Sequence, residues 1–242
     1  MPKGPTLDQL RAALEAQAAL LLPALEQDRS APSRCAGWTV GDLDRHLGAI
    51  TIGLVRTLAA PAPARPDTDI AGWAAAQPAL APLIDEDARS GPWLVESLPA
   101  FLDALSTADP DRVVQQRTGA HRLTDAALFR VVELVAHGRD LPEPVQPDGG
   151  ALKLAVRALA EVLAAKAPGR SVEVRIPPYA AVQCVEGPRH TRGNPPNVAE
   201  CEPVAFVELC VGRLSWADAV ADGRVRATGA RADLSAQLPL LA

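Results

Sequence analysis

The sequence predicts two domains in succession, an all-α four-helix bundle and a smaller α+β domain, and three observations carry the prediction. The chain has 242 residues, long for one compact core and comfortable for two small ones. Apolar residues recur at helical spacing through the first 140 positions, then alternate within SVEVRI (171–176) as they do in a strand. Between these patterns lies LPEPVQPDGG (141–150), rich in Pro and Gly, which reads as a linker. The expected domains are therefore 1–143 and 151–242.

The first helix should begin at Thr6, which forms a capping box with Gln9. Leu7, Leu10, Leu14, Leu21 and Leu25 then recur on one face, and Pro23 should bend or end it. A second helix should follow Trp38, with Thr39 and Asp42 at its start and Leu43, Leu47, Ile50, Leu54 and Leu58 in one stripe. The proline-rich AAPAPARPDTD (59–69) cannot stay helical and reads as a surface excursion. A third helix is expected within Pro92–Ser106, placing Leu98, Phe101, Leu102 and Leu105 inward. The fourth should run from about Thr124 to His137.

Beyond the linker, Leu152, Val156, Leu159 and Leu163 predict an amphipathic helix stopped by Pro168-Gly169. Strands are expected at 171–176, 180–185 and 204–212. A short helix (216–223), a strand (224–229) and a last helix (231–241) complete the second domain.

Composition narrows the function. A net charge of -5 opposes general nucleic-acid binding, which needs a basic surface to neutralise phosphates. The N-terminal 25 residues are interrupted by Asp8, Gln9, Arg11, Glu15 and Gln17, so they do not read as a signal peptide. No stretch approaches the ~20 apolar residues of a membrane span. A cytoplasmic location is the expectation, with Cys35, Cys184, Cys201 and Cys210 as free thiols. None of them forms a C-x-x-C pair, and Cys184, Cys201 and Cys210 read as small buried apolar residues in strands. The oligomeric state is not legible, since no coiled-coil seam stands out.

The fourth helix concentrates the chemistry. Ala127, Leu128, Val131, Val132, Leu134, Val135 and Ala136 leave it almost no wet face. Yet Glu133 and His137 stand four residues apart, one above the other. A buried helix must satisfy such groups inside the bundle. His46 lies beside the apolar stripe of the second helix and has the same need. Two histidines and a carboxylate are three ligands with coordination positions left open, the make-up of a catalytic zinc site. A non-haem iron site fits too, as does another divalent ion. By spacing alone, a core histidine hydrogen-bonded to a glutamate fits as well.

The run W-T-V-G-D-L-D-R-H (38–46), followed by R-V-V-E-L-V-A-H-G-R-D-L (130–141), resembles the mycothiol-dependent maleylpyruvate isomerase family of DinB-like metal-binding bundles. That resemblance implies His46, Glu133 and His137 as metal ligands, zinc foremost, and mycothiol as thiol cosubstrate. It implies thiol addition to an electrophile, either as isomerisation of a cis double bond or as S-transfer. The segment R-I-P-P-Y-A-A-V-Q-C-V-E-G-P-R-H-T-R-G-N-P-P-N (175–197) and G-A-R-A-D-L (229–234) resemble the bacterial sterol-carrier-like domain that accompanies some of these bundles.

Substrates of such chemistry are anionic or electron-poor. Arg189, His190 and Arg192 fall within four positions of one loop, and Arg231 stands where the last helix should begin. Each arginine is a candidate for holding a substrate carboxylate in a cleft between the domains, against a solvated loop as the plain alternative. Arg130 is a candidate support for Glu133, or else a partner in an intrahelical ion pair. Cys35 reads as structural. Two other functions compete with the thiol-dependent enzyme: a carrier for an apolar ligand with a structural bundle, and a hydrolase using metal-bound hydroxide.

Overall fold

The computed structural model describes residues 4–188 and 195–241. The chain divides into two compact units, Met1–Leu154 and Ala155–Ala242. The first is a helical bundle and the second an α+β fold, as the sequence predicts.

In the first unit, α1 (Leu7–Gln27) opens with the Thr6–Gln9 capping box and runs through Pro23 without ending there. Its inner face of Leu7, Leu10, Leu14, Leu21 and Leu25 is buried, and that burial holds the turn in which Pro23 offers no N–H. Helix α2 (Val40–Ala59) begins with a second capping box, in which Thr39 and Asp42 each accept from the other's backbone N–H. Arg112 donates to the carbonyls of Leu58 and Ala60 at its far end, where a cation complements the helix dipole. Helix α4 (Leu94–Thr107) lies against α2, and α5 (Leu123–Gly138) against α1. Close approach between α2 and the start of α4 depends on Gly48. A Cβ there would stand 2.0 Å from the Pro92 carbonyl oxygen.

Two elements of this unit were not expected. Helix α3 (Ile70–Ser90) follows the proline-rich excursion and packs on α2. Asp69 caps it by accepting from Ala71 and Gly72 N–H. Its Trp73 stacks on Phe129 of α5 with ring centroids 4.6 Å apart. A hairpin of β1 (Val113–Gln116) and β2 (Gly119–Arg122) precedes α5. The excursion is tied to it, because the Asp67 N–H donates to the Ala120 carbonyl and Asp67 Oδ1 accepts from the Ala120 N–H.

Helix α6 (Gly149–Lys166), capped by Asp148, leads into the second unit. There β3 (Val172–Ile176), β4 (Ala180–Cys184), β5 (Val198–Cys201) and β6 (Val225–Thr228) form one sheet in the order β4-β3-β5-β6. Only the β3–β5 pair is parallel. The expected strand over 204–212 is instead α7 (Pro203–Cys210). Pro203 occupies the first helical turn, where its missing N–H costs nothing, and Ala205–Cys210 are all buried. A short run buried on every side has no period to tell helix from strand. Helix α8 (Trp216–Ala221) falls where a short helix was expected. The last expected helix, 231–241, is reduced to a single 3-10 turn at Ser235–Gln237. Pro239 disfavours helical backbone at Leu238, and only Ala232, Leu234 and Leu240 of this segment are buried.

Candidate metal centre

The two helices that carry His46, Glu133 and His137 bring the three side chains together. His46 sits one turn inside α2, 3% exposed, where Leu43 and Leu47 anchor the buried face. Glu133 and His137 lie one turn apart on α5. The His46 Nε2 is 3.5 Å from Glu133 Oε2, and the His137 Nε2 is 3.2 Å from the same oxygen. One ligand atom from each residue lies within 4.8 Å of the other two.

These separations fit a metal ion. Ligands at the ~2.0–2.1 Å of zinc–nitrogen and zinc–oxygen bonds stand about 3.3 Å apart along a tetrahedral edge. The His137 Nδ1 lies 2.9 Å from Asp140 Oδ2. A ring that donates there keeps its Nε2 lone pair for the centre, the arrangement by which a carboxylate fixes a metal-binding imidazole. Asp140, just past the end of α5, is itself 1% exposed and accepts from Cys35 Sγ at 3.0 Å. Cys35, His137 and Asp140 thus form a second convergent group, sharing His137 through its other side. The loop that carries Cys35 is fastened to the same corner by Arg34, whose N–H donates to the Asp140 carbonyl.

Trp38 completes the enclosure. Its ring lies 5.4 Å from the His46 ring and 6.3 Å from the His137 ring, while its Nε1 donates to Asp85 of α3 at 2.7 Å.

Electrostatics follow from this packing. Burial holds the His46 imidazole below its ordinary range, outweighing the bond to Glu133. Burial pulls in the same direction at His137, but the bonds to Asp140, Cys35 and Glu133 win and hold it well above that range. At Glu133 burial favours the neutral acid, and the bonds to His137 and His46 overcome it, keeping a carboxylate. Glu133 and His46 are thus in the forms that bind metal, whereas His137 must give up its second proton before its Nε2 can face an ion.

A cavity of about 540 Å³ opens beside the centre, within the range of small-molecule sites. His46 and Glu133 form part of its lining. Helix α3 supplies one wall through Trp73, Gln77, Leu80, Ile84 and Asp87, a stripe at alternating steps of four and three residues. The hairpin contributes Gln115 and Gln116 from β1 and Arg117 and Thr118 from its turn. Arg117 is spent on Asp87 in a two-pronged ion pair at 2.5 and 3.2 Å.

Arg130 lines the same cavity. Its Nε donates to the Ile50 carbonyl and its Nη2 to Gln116 Oε1, at 3.1 and 2.8 Å. It reaches Glu133 through Coulombic attraction rather than a hydrogen bond, and burial lowers its pKa to about 10. Arg231 begins no helix, so the expected dipole at its backbone is missing. Its N–H donates to Asn197 and its Nη1 to the Glu186 carbonyl, and its guanidinium lies over Gly187. Arg189 and Arg192 lie outside the described residues. Cys184, Cys201 and Cys210 are buried, though Cys210 belongs to a helix rather than a strand.

Sequence reasoning missed Trp38, Asp140, the α3 stripe and the hairpin turn. Asp140 left a signal, a carboxylate three residues past a candidate histidine ligand. The α3 stripe left a weaker one, because two prolines, Pro78 and Pro82, interrupt it.

The mycothiol maleylpyruvate isomerase N-terminal domain family matches residues 10–142. The family described as bacterial SCP ortholog matches residues 148–240. Two solved structures share the fold, a mycothiol-dependent maleylpyruvate isomerase and a histidine-to-alanine variant of that name. Each is 14% identical with a TM-score of 0.61, and the match covers 92% of this chain and 93% of the other. No curated protein matches the chain at a significant level.

Proposed function

This chain belongs to the mycothiol maleylpyruvate isomerase N-terminal domain family, and from that premise we propose that it is a metal-dependent enzyme that uses mycothiol to isomerise a small anionic electrophile. The observation that supports this reading is the convergence of His46, Glu133 and His137 beside a cavity, with both imidazole Nε2 atoms 3.2–3.5 Å from one Glu133 oxygen.

These three residues would hold a divalent ion, zinc by its ligand preferences, with a position left for another ligand. Such an ion, when bound, lowers the pKa of a thiol and polarises a carbonyl. The chain supplies the rest. Asp140 fixes the tautomer and tilt of His137. Trp38 shields both imidazoles from water, and the α3 wall bounds the space in which the substrate lies.

The reaction in that space is an addition followed by an elimination. The thiolate sulfur forms a C–S bond to one carbon of a cis double bond, and the π pair moves onto the conjugated carbonyl oxygen. The remaining C–C single bond rotates. The pair then returns, the C–S bond breaks, and the trans product leaves with the thiolate regenerated. If a proton instead quenches the adduct at carbon, the same site performs S-transfer.

The test is metal analysis together with turnover of maleylpyruvate in the presence and absence of mycothiol. The expected result is about one equivalent of metal per chain and thiol-dependent trans product, both lost in Glu133→Gln. Turnover that persists in Glu133→Gln, or a chain that takes up no divalent ion, sinks the reading. Hydrolysis without thiol would move the chain to metal-hydroxide chemistry.

A further inference from the structure

Arg130 is an anomaly in the first unit. It is 8% exposed, and arginines are almost never this buried without an acidic partner. No carboxylate oxygen lies within ion-pair distance of it among the described residues. Its nearest acid along the helix, Glu133, is engaged by His46 and His137. The two hydrogen bonds it does make are to neutral acceptors, the Ile50 carbonyl and the Gln116 amide oxygen. They use Nε and Nη2 and leave Nη1 without a partner. The Gln116 amide is itself fixed, because its Nε2 donates to Thr57 Oγ1 at 2.9 Å. A buried guanidinium is therefore clamped in one orientation, at the wall of a cavity, with Glu133 attracting it only at a distance and no carboxylate paired to it.

The cavity carries a matching imbalance. Of the three arginines that line it, Arg117 is neutralised by Asp87, Arg56 is exposed, and Arg130 is buried. An unpaired cation in a low-dielectric wall is costly unless an anion arrives to meet it. Guanidinium geometry selects a planar oxyanion that can take two parallel N–H bonds.

We propose that Arg130, held by Gln116, is the residue that selects the electrophile, by binding one of its carboxylates in the cavity beside Glu133 and His46. This rests on the thiol-dependent reading above and assigns its charge selectivity to one side chain. The carboxylate stays bound at Arg130 throughout addition, rotation and elimination. The double bond is thereby kept within reach of the centre while the other half of the substrate turns.

The test uses the full chain, zinc-loaded and chelator-stripped, with maleate as probe, dimethyl maleate as its neutral counterpart and inorganic phosphate as a different oxyanion. Titration calorimetry should give maleate binding in the wild type that weakens about tenfold or more in Arg130→Met, the scale of one charge-assisted pair. Dimethyl maleate should bind equally to both. Arg130→Lys, which keeps the charge and loses the fork, should fall between them, and it carries the test if Arg130→Met fails to fold. A merely structural Arg130 would lower the melting temperature of both variants without changing the ratio of maleate to ester affinity. Maleate affinity within about twofold of wild type in both folded variants, or phosphate competing as well as maleate, overturns the proposal. Zinc content is read on the same samples. Loss of maleate affinity in a chain that binds no zinc upholds the anchor and sinks the metal reading. Normal zinc with unchanged maleate affinity sinks the anchor alone.

Discussion

The two units handle buried polar groups in opposite ways. In the second, they satisfy one another. Glu208, 4% exposed, meets Arg224 at 2.7 Å. Asn197 spans from the Ser171 carbonyl to the Arg231 N–H, and Ser171 donates to Val185. In the first unit they converge without closing. Three ligand-type side chains face one point, a guanidinium faces a cavity, and the His46 Nδ1 is buried with no hydrogen-bond partner. The buried side-chain atoms that lack a partner among the described residues are Arg11 Nε, Gln17 Nε2, His46 Nδ1, Arg112 Nε and His121 Nδ1, all in the first unit. A closed network holds a fold together, whereas an open one is costly to fold and makes sense when something binds there.

Three measurements put this contrast to the test. The largest effect is expected from Arg224→Met, which strips Glu208 of its near cation. Breaking a fully buried pair costs ~3–5 kcal/mol, and the partial exposure of Arg224 puts the loss near 3 kcal/mol in urea unfolding. Metal content should be untouched. Next comes Asp140→Asn, expected to weaken zinc binding about 10–100-fold by chelator competition while unfolding changes less than in Arg224→Met. If the two variants exchange these behaviours, the contrast between the units is wrong. The smallest effect is kinetic. Burial raises Cys184 to about 11, Cys201 to about 12 and Cys210 higher still, so each stays a protonated thiol at pH 8. Iodoacetamide at that pH should label Cys35 in the native chain and reach the other three only after denaturation, read by mass spectrometry.

Much of the first unit was legible because its signals are local. Capping boxes at Thr6 and Thr39 mark helix starts within four residues, and the apolar excess of α5 marks a buried helix whatever it packs against. The candidate ligands were legible for the same reason, as polar residues on faces that should be dry. Helix α3 was not, because its burial is slight and its two prolines break the usual pattern. It is held by stacking of Trp73 on Phe129, a contact 56 residues apart that no local window contains. The hairpin was hidden for a related reason. Four-residue strands give too few alternations to read, and Asp67 from the distant excursion completes the pairing. Helix α7 shows the converse failure, in which Ala205 to Cys210 are all buried and the period disappears. Polar roles that depend on a partner elsewhere, such as Trp38 donating to Asp85, leave no trace in spacing.

The hairpin bears on how such a cavity changes. The side chains facing the candidate metal are on α2 and α5, inside the bundle. Four that line the cavity, Gln115 to Thr118, span the end of β1 and the turn of a hairpin whose strands have four residues each. The candidate ligands and this part of the cavity lining thus stand on separable stretches of chain, while Arg130 shares α5 with Glu133 and His137. Exchanging residues 113–122 for those of a relative would redraw part of the cavity without moving a candidate ligand, and through Gln116 it would also reset the hold on Arg130.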